Sequence, residues 1–262
     1  MKIKALIASA MLAGLAMAPV SSATAETYED PFEETNREIF DFNVGVDKAL
    51  VVPLAKGYRT VVPGPLRQGV SNAMENLSEP QTFINNLLQG EMKAAGHTFA
   101  RFVINSTIGL GGLFDITTAG DMPRVKEDFG QTLAVWGAES GSYVMLPLFG
   151  PSNTRDVAGR VVDTLTDPIN LVAGFTPAMV RRGVELTDNR SELLEQTEEL
   201  ERTAVDLYAT VKALYGQGRS HQIRNGAEPP AEEIYPSMDT EDEDDDDRLR
   251  KKLDIRFPLS EE

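Results

Sequence analysis

The sequence predicts an all-α fold, and three observations predict it. Helix starts are marked repeatedly by capping residues and by proline in the first turn. The positions Leu193, Thr197, Leu200, Ala204, Leu207, Val211 and Leu214 step alternately by four and three residues, which makes one apolar seam on a helical surface. Strand signals are scarce, the clearest being the apolar stretch SYVMLPLFG from Ser142 to Gly150, which Pro147 interrupts.

The chain opens with a segment that does not belong to this fold. Lys2 and Lys4 precede an apolar run from Ala5 to Ala18, followed by Pro19 and the small-residue ending Ala23-Thr24-Ala25. That pattern predicts an export signal, residues 1–25, cleaved after Ala25. The run is shorter than the roughly 20 apolar residues needed to cross a bilayer. The 262 residues include no cysteine. The fold therefore uses no disulfide, and thiolate zinc sites are excluded. A lipoprotein-type anchor is not expected either, because the first mature position is Glu26, which has no sulfur to acylate.

The formal charge of −16 excludes nucleic acid as a partner, since phosphates demand a cationic face. It also repels anionic lipid surfaces, so attachment to a membrane has to come from buried apolar area. Much of the charge lies in residues 228–262, around the run EDEDDDD from Glu241 to Asp247. Such a block predicts a disordered, solvated tail. A calcium loop framed on Asp242 fails, with Asp247 where glycine is needed and Leu253 where glutamate is needed.

Between these ends, residues 26–227 form one domain whose elements follow in order. Asp30-Pro31-Phe32-Glu33 offers an N-cap, a first-turn proline and a third-position glutamate, predicting a helix towards Leu50 that Pro53 stops. After Pro63-Gly64-Pro65, LRQGVSNAMENL predicts a second helix. Ser78 caps a third, PQTFINNLLQ, which Gly90 ends. The next starts near Glu91 and carries Phe99, Phe102 and Val103 on one side. DFGQTLAVW predicts a short helix, and NTRDVAGRVVDTLT a longer one capped by Ser152 or Asn153. From Thr176-Pro177 onward the pattern is helical through the seam, which serves as bundle core.

No catalytic constellation is present. His97 and His221 are the only histidines and neither forms a His-Glu-x-x-His pair, while GAESGS from Gly137 to Ser142 lacks nucleophile-elbow spacing. The stretch NSTIGLGGLFDITTAG, Asn105 to Gly120, has no lysine for a phosphate loop, and Gly109, Gly111 and Gly112 do not have dinucleotide spacing. Two readings remain for it. It is a buried turn between helices, or it is a glycine bend that lines a lipid passage and presents Ile108, Leu110, Leu113, Phe114 and Ile116 as apolar surface.

Six blocks in one order bear on that choice: DPFEETNREIFDFN (Asp30 to Asn43), VPGPLRQGVSN (Val62 to Asn72), NLSEPQTFINNLLQG (Asn76 to Gly90), FARFVINSTIGLGGLFD (Phe99 to Asp115), FGQTLAVWG (Phe129 to Gly137) and GSYVMLPLFGPSNTRDVAG (Gly141 to Gly159). Together they resemble the MlaA, or VacJ, family of outer-membrane phospholipid-transport proteins. The resemblance implies a helical, ring-like monotopic protein in the inner leaflet of the Gram-negative outer membrane, facing the periplasm, around an amphipathic channel. It implies that phospholipids misplaced in the outer leaflet pass through that channel to a periplasmic carrier of the MlaC type, with trimeric porins as membrane partners. No bond is made or broken and no cofactor is needed. A porin-associated scaffold without lipid passage, or an exported lipid hydrolase, are the competing expectations.

A lipid path needs a polar side for the headgroup and an apolar side for the chains. The segment Asn105, Ser106, Thr107, Ile108, Gly109, Leu110, Gly111, Gly112, Leu113 and Phe114 has both and is the candidate channel wall. Phe42 and Asn43 are candidates at its mouth, and Asn85 and Asn86 candidate amide donors, with helix-to-helix hydrogen bonding as the alternative for that pair. Asp115, Arg155, Asp156 and Arg101 are read as structural charges. Lacking the anchor cysteine of typical members, the chain is expected to be held by its apolar belt and by porin contacts.

Overall fold

A computed structural model describes residues 28–167 and 174–227, so the export signal and the acidic tail lie outside the described residues. The described residues are mostly helical, with one short hairpin. Helix α1 spans Glu33–Val46, but Asp30 is not its cap. Its carboxylate instead accepts from Asn36, Tyr208 and Lys212. Pro53 does not stop the chain's first helical run either. A π-helical turn, Asp47–Val51, carries α1 into α2, Val52–Val61. Val52 donates its N–H to Asp47 O, five residues back, which leaves Pro53 in the first turn of α2, where no N–H is required.

The two helices expected after Gly64 are one, α3, Gly64–Leu88, with Pro80 inside it. Ser78 donates its hydroxyl to Glu75 O and caps nothing. The proline's lost hydrogen bond is tolerated because α3 packs along its length against α4, Met92–Thr107, so tertiary contacts override the local break. Gly90, at φ 81°, does end the helix.

After α5, Ile116–Ala119, comes α6, Phe129–Val135, whose cap is Asp128 accepting from Gln131 N. Strands β1, Tyr143–Leu146, and β2, Gly150–Asn153, pair antiparallel with Tyr143 opposite Asn153. Asn153 then caps α7, Thr154–Thr166, by accepting from Asp156 N. Three helices complete the fold: α8, Phe175–Glu192; α9, Leu194–Thr203; and α10, Leu207–Ile223. The predicted seam is therefore not continuous. It breaks at Leu193 and again at Ala204, where the backbone turns extended and Asp206 starts α10 by capping Ala209 N. Burial falls on Leu194 and Leu200 rather than on the full four-three series.

Helix α6 packs on α7, α8 packs on α2 and α3, and α10 packs on α6 and β2. The apolar core is small and aromatic: Tyr28, Tyr143, Met145 and Tyr208, flanked by Ile39, Phe40 and Tyr215. The Asn36 side chain completes it by bonding like a strand, accepting from Met145 N at 2.8 Å and donating to Tyr143 O at 3.2 Å.

Candidate lipid-facing site

Among the described residues, buried polar and charged side chains far outnumber buried apolar ones, while large apolar side chains crowd the exposed class. A protein folded for water sorts them the other way. The interior is instead a set of polar networks. Arg219 of α10 reaches Asp128 Oδ1 at 2.7 Å and Asp156 Oδ1 at 2.9 Å, and Tyr215 donates to Asp156 Oδ2 at 2.6 Å. Such pairing offsets the cost of burial, because an unpaired polar group in an apolar medium costs several kcal/mol. No described helix is long and apolar enough to cross a membrane, and no described cluster of His, Asp or Glu could hold a metal ion.

The segment 105–115 repeats this sorting on a small scale. The Asn105 side chain is 4% exposed and fully occupied by the fold. It donates to Asp115 Oδ1 and Thr117 Oγ1 and accepts from the amides of Ile116 and Thr117. Ser106 accepts from Asn76 Nδ2 at 2.8 Å, and Thr107 turns its hydroxyl back to Val103 O. Burial opposes the ionisation of Asp115, but the Thr118 hydroxyl and amide, the Thr117 hydroxyl and the Arg101 charge together hold its carboxyl well below the usual range.

Beyond Thr107 the chain turns tightly. Gly109, Gly111 and Gly112 donate their amides back to Ile104, Ser106 and Asn105, and Phe114 donates to Gly109 O. A Cβ on Gly109 would stand 2.3 Å from Phe114 O, and one on Gly112 would stand 2.5 Å from Asn76 Cβ. These two positions admit only glycine, whereas Gly111 meets nothing within 4 Å. The turn leaves Ile108, Leu110, Leu113 and Phe114 on the surface, with Leu110 67 residues downstream of Asn43 in sequence and itself 64% exposed. Nearby on α4, Phe99 and Val103 are exposed too.

The remaining predicted residues stand elsewhere. Asn43 fastens α1 to the hairpin turn, donating to Leu146 O at 2.9 Å and accepting from Leu148 N at 2.7 Å, while Phe42 beside it is exposed. Asn85 accepts from Thr132 Oγ1 and donates to Gln81 O and Asp163, and Asn86 donates to Thr98 Oγ1. Both amides are buried between helices. The sequence reading passed over the run Arg124 to Asp128, although its density of charge was a signal. Arg124 pairs with Glu75 and Glu79 of α3, Glu127 accepts from Gln89, and Asp128 binds Arg219. Lys126, between them, is exposed.

The sequence model of the MlaA lipoprotein family matches residues 28–222. The chain belongs to the MlaA lipoprotein family. This MlaA-family chain is 36% identical over 211 residues to the intermembrane phospholipid transport system lipoprotein MlaA of Haemophilus influenzae, covering 79% of this chain and 84% of that one. It is 34% identical to the Shigella flexneri protein of the same name, covering 76% and 80%. A solved structure described as the structural basis for maintenance of bacterial outer membrane lipid asymmetry aligns with a TM-score of 0.68 at 35% identity, over 74% of this chain and 99% of that one. The MlaA family block thus includes the glycine turn and the polar networks, and ends within α10.

Proposed function

We propose that this chain is the outer-membrane component of an intermembrane phospholipid transport system. It removes mislocalised phospholipids from the outer leaflet and hands them to a periplasmic carrier of the MlaC type, which maintains lipid asymmetry. The observation that carries this reading is the inverted sorting of side chains, polar networks within and a broad apolar exterior. Such a surface is stable when immersed in acyl chains and is a liability in water. Family membership and the names of the relatives support the same reading.

In this function the protein moves a molecule and breaks no bond. The turn after α4 forms an apolar wall, with Ile108, Leu110, Leu113 and Phe114 meeting acyl chains while Asn105 and Ser106 hold the turn from behind. The wall belongs to an amphipathic passage through a ring of helices in the inner leaflet. Retention depends on the apolar exterior and on contacts with trimeric porins, because the sequence offers no cysteine for acylation.

The test is transfer of labelled phospholipid from outer-membrane vesicles to the carrier, with intact protein and with a folded Gly111→Trp variant. Intact protein supports transfer, and the bulky variant slows it at least several-fold without loss of helicity by circular dichroism. Porin binding with no transfer by intact protein would establish the scaffold reading instead.

A further inference from the structure

Helix α9 is fastened to the rest of the fold by charge more than by packing. Of its ten residues only Leu194 and Leu200 are buried, and among the described elements it packs closely on α8 alone. What holds it across α2 and the π-helical turn is a row of ion pairs: Glu195 with Arg59 at 2.6 Å, Glu198 with Lys56 at 3.0 Å and Glu201 with Lys48 at 2.8 Å. The glutamates ascend by threes while their partners descend, so the two runs lie antiparallel. All six side chains are between 30 and 68% exposed.

Each end of α9 is a break in the helical chain with a firmer anchor beside it. Before it, Arg190 donates to Asp47 Oδ1 from Nε at 3.0 Å and to Oδ2 from Nη2 at 2.9 Å, and reaches Thr197 Oγ1 as well. After it, the backbone turns extended at Ala204, Val205 is fully exposed, and Arg37 grips both oxygens of Asp206 at 3.2 and 2.8 Å. The segment between is less secure. Exposed ion pairs are individually weak and are screened by salt, so little besides them and two leucines keeps α9 seated. Glu195, Glu198 and Glu201 also repel one another at three-residue spacing, and a ten-residue helix is marginal by itself. α9 therefore stays wound while Arg59, Lys56 and Lys48 neutralise that row, which makes seating and helicity one event.

We infer that α9 is an electrostatic strap, closed over α2 at low ionic strength and released as salt rises, with Arg190–Asp47 and Arg37–Asp206 as its fixed ends. Release frees Lys48 and Lys56 of their carboxylates and leaves Arg59 with Ser191 O. The rest of the domain stays folded, because its neighbours are tied by contacts of another kind. α8 packs on α2 and α3 with Asp188 and Ser191 buried, and α10 is held by Arg219, whose side chain is 7% exposed, between Asp128 and Asp156. Such a strap is drawn from the low-stability end of the fold, where local opening precedes global unfolding.

The experiment is hydrogen exchange read by mass spectrometry on the full chain in detergent, at about 0.01 M and about 1 M sodium chloride, between which the screening length falls about tenfold. Peptides covering residues 194–203 should lose protection several-fold at high salt, while peptides from α10 do not change. Lys56→Gln should raise exchange in 194–203 at low salt towards the high-salt value, and Lys56→Arg should behave like the parent. A variant carrying Glu195→Gln, Glu198→Gln and Glu201→Gln together should exchange in this segment without regard to salt. Circular dichroism establishes that each variant is folded. Equal protection of 194–203 at both salt concentrations in the parent chain would overturn the inference, as would a triple variant that keeps the parent's salt response. An equal loss of protection in α10 would overturn it too, since salt would then be loosening the whole domain.

Discussion

Arg101 of α4 and Glu79 of α3 form an ion pair at 3.2 Å in which the side chains are only 3% and 2% exposed. Burial pushes the Glu79 carboxyl up, and Arg124 and Arg101 pull it back down. Arg101 also donates to Thr118 Oγ1, Met122 O and Asp115, so one guanidinium joins α3, α4 and α5. Breaking a buried pair by removing one member costs about 3 to 5 kcal/mol, and without Arg101 the Glu79 carboxylate keeps only Arg124. Arg101→Ala should lose stability in that range in detergent denaturation. Arg101→Lys should recover only part of it, because an ammonium cannot span all these acceptors. A loss under about 1 kcal/mol would show that the pair is not structural.

The three glycines of the turn should respond differently. Gly109→Ala and Gly112→Ala drive a methyl into Phe114 O and Asn76, and the second also carries φ +90°. Both should lower the melting temperature sharply or prevent folding. Gly111→Ala meets open space and bears only the strain of φ +72°, about 1 to 2 kcal/mol. Thermal melts of the three variants side by side test the ranking.

Asn105→Ala removes the acceptor for the Ile116 and Thr117 amides and a donor to Asp115. Loss of buried partners costs about 1 to 3 kcal/mol each. Hydrogen exchange should accelerate at residues 109–118 while α10 stays protected. Uniform acceleration across the chain would mean that Asn105 supports the whole fold and not the turn.

Glu127 is almost fully buried, and burial pushes its carboxyl up to about 7, against the opposing hydrogen bond from Gln89. From its ordinary value of 4.5 up to about 7, the folded chain keeps a proton that the unfolded chain has released. Stability from this group therefore falls as pH rises through that window and is level above it. The fall is on the order of 3 kcal/mol. Glu127→Gln should abolish this part of the pH dependence in urea melts run between pH 5 and pH 8. A variant with the same slope as the parent would exclude Glu127 as its source.

Most helices were legible because their signals are local. Asn153 caps at one of the two positions that offered a cap, and Gly90 terminates where a glycine should. Pro53 and Pro80 misled because packing and a π-helical turn decide their fate, and neither is written in a short window. The seam from Leu193 misled because Asp206 caps a new helix and pairs with Arg37, a residue 169 positions away. In the site, the turn after α4 was visible as glycine among apolar residues. The use of Asn85, Asn86 and Asn105 was not, because an amide's partner depends on which helix lies opposite.

The Asn36 amide also has a bearing on self-association. By occupying Tyr143 O and Met145 N it closes the outer margin of β1, and Glu29 O takes the Tyr143 N–H as well. An added strand from another copy finds three backbone groups of that margin already engaged. Clumping of the purified protein should therefore proceed through its oily flanks, be suppressed by detergent, and leave no cross-β signature.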